Sequence, residues 1–92
     1  MRLIGKRIEL LDGAGHKYEG HYGFIIDECV EDDEYHVAGG SISTLNPDGT
    51  ITGPIPVFCR NDFKIPRLRS PSRFDKEDRI AYELWLEAKE GK

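Results

Sequence analysis

Residues 5–27, GKRIELLDGAGHKYEGHYGFIID, decide the fold class of this chain. Ile8 and Leu10 alternate with Arg7 and Glu9, the period of a half-buried strand, so Lys6 to Leu11 is expected to be extended. A glycine-bearing excursion follows, and Gly20 and Gly23 lead into a second strand from His21 to Asp27. There Tyr22, Phe24 and Ile26 share one parity while Gly23 and Ile25 share the other. A strand that is apolar on both faces belongs at the centre of a sheet.

Strand signals continue downstream. The acidic run Glu31, Asp32, Asp33, Glu34 reads as a turn, and Tyr35 to Ala38 resumes extended structure until Gly39-Gly40 interrupts it. Ser41 to Leu45 and Thr50 to Thr52 flank Asn46-Pro47-Asp48-Gly49, where Pro presets a turn φ, Asp bonds the backbone and Gly accepts positive φ. That is a hairpin signal. Pro54 and Pro56 cannot donate ladder hydrogen bonds, which makes Gly53 to Pro56 an edge or a connection. Val57 to Cys59 reads as a strand, Asn61-Asp62 as a tight turn, and Phe63 to Ile65 as a short closing strand ended by Pro66.

The last third changes character. Arg67 to Ser72 is extended and rich in Arg, Ser and Pro, because Pro66 and Pro71 each push the preceding residue away from helix. A helix is expected from residue 75 to 90. Ser72 or Asp75 can cap it, Asp75, Glu77 and Asp78 suit the positive end of its dipole, and Gly91 is placed to stop it. Asp75 and Arg79 form a favourable i, i+4 pair. Ile80, Ala81, Leu84, Trp85 and Ala88 lie on one stripe, with Tyr82 and Leu86 outside it, so the helix is apolar over more than half its girth. Either it tucks against its own domain or it offers a surface to a second chain.

Composition bounds what this architecture can do. With 92 residues there is one core, and a hydrophobic share of 38% is enough for it to fold. No apolar run approaches the roughly 18 residues that cross a bilayer, and MRLIGKRIEL lacks the pattern of a signal peptide, so no membrane is expected and a cytoplasmic address follows. Cys29 and Cys59 are then expected to stay reduced. The formal net charge of −4 is unevenly spread: residues 1–59 carry four Lys/Arg against ten Asp/Glu, and the remainder nine against seven. Charge blocks usually just sit in water, but Arg60, Lys64, Arg67, Arg69 and Arg73 also offer a basic docking face for an anionic partner.

Two features now carry a family resemblance. Ile8 and Leu10 on a strand, Tyr18-Glu19-Gly20, Gly23 before Ile25, and Tyr35 and Val37 after an acidic turn resemble the KOW-type opening of Src-homology-3-like small barrels. Val57 to Cys59, the Asn61-Asp62 turn and Phe63 to Ile65 resemble the closing strands of such a barrel. Over residues 5–66 the resemblance implies a mainly β, five-stranded Src-homology-3-like barrel, here followed by a single C-terminal α-helix. The domain plan is then a barrel over residues 1–66, a basic linker over 67–74 and the helix. The basic decoration common in KOW domains is reduced to His16 and Lys17, which weakens the implied nucleic-acid role and favours protein binding.

Chemistry-bearing groups are sparse. His16, His21, His36, Cys29 and Cys59 show no C-x-x-C or H-x-x-x-H spacing, so no metal is expected, and neither cysteine sits where its pKa would fall. Gly13 to Gly15 has no following Lys-Ser/Thr and is not a phosphate loop. No catalytic residue, enzyme activity or cofactor is expected. The chain is expected to be a protein-interaction module, an adaptor or regulator, using Tyr18, Tyr35, Arg60, Lys64, Arg67, Arg69 and Arg73. Of the barrel aromatics, Tyr22 and Phe58 are expected in the core, while Tyr18 and Tyr35 are open to either role. The alternative is a KOW-like nucleic-acid binder with the same arginines on phosphates and an aromatic on a base. The compact plan also suits an accessory protein of a phage or mobile element, although no residue carries that origin.

Overall fold

The computed structural model describes residues 2–11, 17–66 and 73–91. The chain is mainly β: strands β1 (Arg7–Leu10), β2 (Tyr22–Cys29), β3 (Glu34–Ala38), β4 (Thr44–Leu45), β5 (Ile51–Thr52), β6 (Val57–Phe58) and β7 (Phe63–Lys64) precede one helix, α1 (Arg73–Glu90). Five strands form an antiparallel sheet in the order β6-β3-β2-β1-β7. The strand that is apolar on both sides, β2, is therefore the central one. The hairpin β4-β5 stands apart as a second, two-stranded sheet.

The main sheet is curled. Laid flat, strands about 4.8 Å apart would put the two edges about 19 Å from each other. Yet β6 and β7, the two edges, are joined only by residues 59–62, three of them in a 3₁₀ turn (Arg60–Asp62). Rings from β3 and β7 also meet across the interior, Tyr35 on Phe63 at 5.4 Å and 76°, although two strands lie between them in the sheet. A register shift between Ile25 and Asp27 adds one residue to β2 and supplies bending. Among the described residues no ladder joins β6 to β7, so closure into a barrel is not seen.

Curling gives the sheet two differently used faces. Inside lie Ile8, Leu10, Ile25, Val37, Phe58 and Phe63, with Leu3 and Tyr35. Leu3 is held there by Glu28, whose Oε1 accepts the backbone N–H of Leu3 at 2.6 Å and of Ile4 at 3.0 Å. Outside, Phe24 and Ala38 are covered by Leu45 of the hairpin and by Tyr82 and Trp85 of α1. The hairpin turn is the one its sequence describes: Gly49 has φ +92°, and Asp48 Oδ1 accepts from the N–H of Thr50 at 3.0 Å and its hydroxyl at 2.6 Å.

The helix differs from expectation in two respects. It begins at Arg73, two residues earlier than anticipated, with Asp75 in its first turn paired to Arg7 Nε at 3.4 Å. Its buried stripe is also differently centred. Tyr82 and Trp85 are 4% and 2% exposed, Leu86 is half-buried, and Ile80 and Leu84 face solvent. Ring area decides this, since Tyr and Trp each remove far more surface from water than an aliphatic side chain. The linker over residues 67–72, the Ser72 cap, the Gly13 to Gly15 cluster and His16 lie outside the described residues.

Candidate docking face

The residues expected to meet a partner are scattered by the fold. Tyr18, between β1 and β2, packs edge-on against Phe58 at 5.9 Å and His21 at 6.1 Å, with Lys17 Nζ 5.2 Å above its ring. Arg60 borders the same corner of the sheet from the other side: its guanidinium lies 5.0 Å from the Phe63 ring, its Nη1 donates to the Phe63 carbonyl at 3.1 Å, and its backbone N–H donates to Asp33 Oδ1 at 2.9 Å. Lys64 points out from β7 beside Glu9, 3.6 Å away. Tyr35 is a correction. At 6% exposure it belongs to the interior cluster and offers no ring to a partner. Tyr22 is corrected the other way, because it is half-buried on the outer face under Arg7, 4.5 Å from its ring, rather than in either core. Arg67 and Arg69 lie outside the described residues, and Arg73 is the first residue of α1.

Most described arginines are therefore committed internally. Besides Arg60, Arg7 reaches Glu9 at 3.2 Å and Asp75, and Arg79 Nη1 donates to the Gly5 carbonyl at 2.9 Å while covering the Phe24 and Tyr82 rings. Of these, Arg7 would have to leave its carboxylates before neutralising a phosphate, whereas Arg60 and Arg79 keep their charge and spend one N–H each on a carbonyl.

The cysteines are chemically quiet. Both are free, and both thiols are held above their ordinary pKa. At Cys59 burial is the main cause, followed by the charges of Asp33 and Asp62. At Cys29 a backbone hydrogen bond from Asp32 pulls the value down. It is outweighed by the thiol donating to the Asp32 carboxylate at 3.3 Å, by burial and by the Asp32 and Glu34 charges. Thiolate, the nucleophilic and metal-binding form, is disfavoured at each. Among the described residues no three His, Cys, Asp or Glu side chains are grouped to hold a metal ion, and no helix is long and apolar enough to cross a membrane.

The sequence left the wide apolar girth of α1 either tucked against its own domain or open to a second chain, and the fold divides it between two sides. Tyr82 and Trp85 anchor one side, which leaves Ile80 and Leu84, one turn apart, on the opposite side at 58% and 46% exposure. Glu77, Glu83 and Glu87 are exposed around them. The surface is not flat there. Leu84, Glu87 and Ala88 form a groove of about 320 Å³ with Pro47 of the hairpin turn. The other large exposed aliphatics lie elsewhere: Val30 in the acidic turn, Val57 on the edge strand β6, and Ile55 in the proline-bearing segment before it. No family model matches the chain, and no curated protein and no solved structure matches it either.

Proposed function

We propose that the chain is a non-enzymatic protein-interaction module, in which a Src-homology-3-like β-unit holds α1 and the outward face of α1 receives the partner. The pairing of the opening strand β1 with the closing strand β7, and the curl that brings the sheet edges to either end of a four-residue link, support the barrel-type reading of the β-unit. The function rests on one observation: a helix locked by Tyr82 and Trp85 presents Ile80 and Leu84 to solvent, side by side, bordered by exposed Glu77, Glu83 and Glu87 with Lys76 one turn before Ile80. Such a face suits a partner segment that carries aliphatic side chains flanked by Lys or Arg, because the apolar centre supplies affinity and the charges set register and on-rate.

The test is a peptide-display selection on the full chain, followed by titration of the enriched peptides. Sequences with Leu or Ile bordered by Lys or Arg are expected, and the double variant Ile80→Asp, Leu84→Asp should weaken them at least tenfold while its melting curve stays that of the wild type. Three results would overturn the proposal. One is selection of peptides indifferent to that variant. Another is self-association of the wild type abolished by it, which would make the face an interface between copies. The third is binding of single-stranded or duplex nucleic acid with a salt slope worth several phosphates, which would favour the basic segment instead.

A further inference from the structure

A separate cleft lies on the flank of α1, where the Gly39–Leu45 turn faces Asp78 and Ala81; it holds about 190 Å³ and is open on one side. Two glycines let the turn pack closely on its neighbours there. A Cβ on Gly40 (φ +59°) would stand 2.4 Å from the Tyr22 carbonyl oxygen, and one on Gly39 (φ +83°) 2.8 Å from Leu45 Cδ1. The turn satisfies its own backbone: Gly39 N–H donates to Ser43 Oγ at 2.9 Å, and the N–H groups of Ile42 and Ser43 both donate to the Gly39 carbonyl.

Asp78 is not satisfied in the same way. The Tyr22 hydroxyl donates to its carboxylate, but Oδ2 is buried and accepts from no described group. No described Lys or Arg pairs with it: Arg7 is taken by Glu9 and Asp75, and Arg79 donates to the neutral Gly5 carbonyl. Oδ2 itself has almost no open surface, so it is the charge of the carboxylate at the cleft wall, not that atom, that a cationic guest would meet, the attraction offsetting part of the guest's desolvation.

We propose that this cleft binds one organic cation, a primary ammonium or guanidinium group on an aliphatic stem. Asp78 provides the counter-charge, the Ser43 and Thr44 hydroxyls border the head group, and Leu45 and Ala81 cover the stem. A hard divalent metal ion is the wrong guest, because it needs six or more oxygens and one carboxylate lines the cleft. The same head group occurs on a lysine or arginine side chain and on a free amine. The site does not depend on the outward face of α1.

The test is an amide NMR titration of the full chain at constant ionic strength, with n-butylammonium, methylguanidinium and a short peptide containing one lysine, and with tetramethylammonium as the control cation. Saturable shifts are expected at Gly39, Gly40, Ser43, Leu45 and Ala81, with contacts between the butyl protons and the Leu45 and Ala81 methyls. Asp78→Asn should weaken the affinity at least tenfold. Tighter binding of the peptide than of butylammonium assigns the site to a protein side chain, and the reverse order assigns it to a free amine. Linear shifts spread over Glu31 to Glu34, equal for tetramethylammonium, would overturn the proposal. If Asp78→Asn does not fold, absence of the butyl-to-methyl contacts in the wild type overturns it alone.

Discussion

Both sides of α1 are apolar, yet one is buried and the other is not. On the inward side Tyr82 stacks on Phe24 at 5.0 Å and 20°, and Trp85 lies 6.0 Å from Tyr82. Cations close the edges of this cluster, Arg79 over Phe24 and Tyr82 and Lys89 4.8 Å over Trp85. On the outward side stand Ile80 and Leu84. Burial here follows ring area and the long stems that cover rings, so a helix can hide its polar residues' methylenes and expose its aliphatics.

The sharpest way to break that comparison is to truncate each side in turn. Trp85→Ala removes a fully buried ring between sheet and helix, and a loss of about 3–5 kcal/mol is expected. Leu84→Ala removes an exposed side chain and introduces a better helix former, so its effect should stay within about 0.5 kcal/mol. Denaturant titrations of both variants measure the contrast. Costs within about 1 kcal/mol of each other would mean that the outward side is not free surface.

A smaller effect tests whether the cations matter or only the rings. Arg79→Met keeps most of the stem but removes the hydrogen bond to the Gly5 carbonyl and the charge above Phe24 and Tyr82. The expected cost is about 2–4 kcal/mol, from one hydrogen bond to a charged group together with a partly desolvated cation–π contact. A neutral result would leave the rings alone responsible for seating the helix.

The same contrast explains what was legible beforehand. Period-2 alternation at Ile8 and Leu10, the two-sided β2 and the Asn46-Pro47-Asp48-Gly49 turn are local signals, and each appears where the pattern put it. The stripe of α1 was misplaced because helical period ranks Ile80 and Leu84 with Trp85, whereas the sheet beneath selects for the rings that stack on Phe24. Tyr35 was ambiguous for a related reason: its partner Phe63 is 28 positions away in sequence, on a strand that only curling brings near. Nothing local marks Glu28 as the clamp on Leu3, a bond across 25 residues. The Asp78 cleft was hidden too, since two glycines and an aspartate from separate elements line it.

The smallest effect lies in the alkaline range and separates the polar end of Tyr82 from its ring. Burial holds the Tyr82 phenol above its ordinary pKa, against the opposing pull of Arg79 and with a further push from Glu90. A group whose folded pKa is raised stabilises the fold fully below its unfolded value, about 10 for tyrosine, and that contribution is lost as pH rises through the folded value. Tyr82→Phe keeps the stack on Phe24 and deletes the titration, so stability near neutral pH should barely change while the midpoint of base-induced unfolding moves to higher pH. Tyr22, also raised, mainly by burial and then by the Asp78 charge, keeps the remaining alkaline sensitivity in the variant. Fluorescence-monitored titration from neutral to strongly basic pH reads both quantities. An unshifted midpoint would mean that the hydroxyl of Tyr82 reaches water in the folded chain, and the inward side of α1 would then be less sealed than its rings imply.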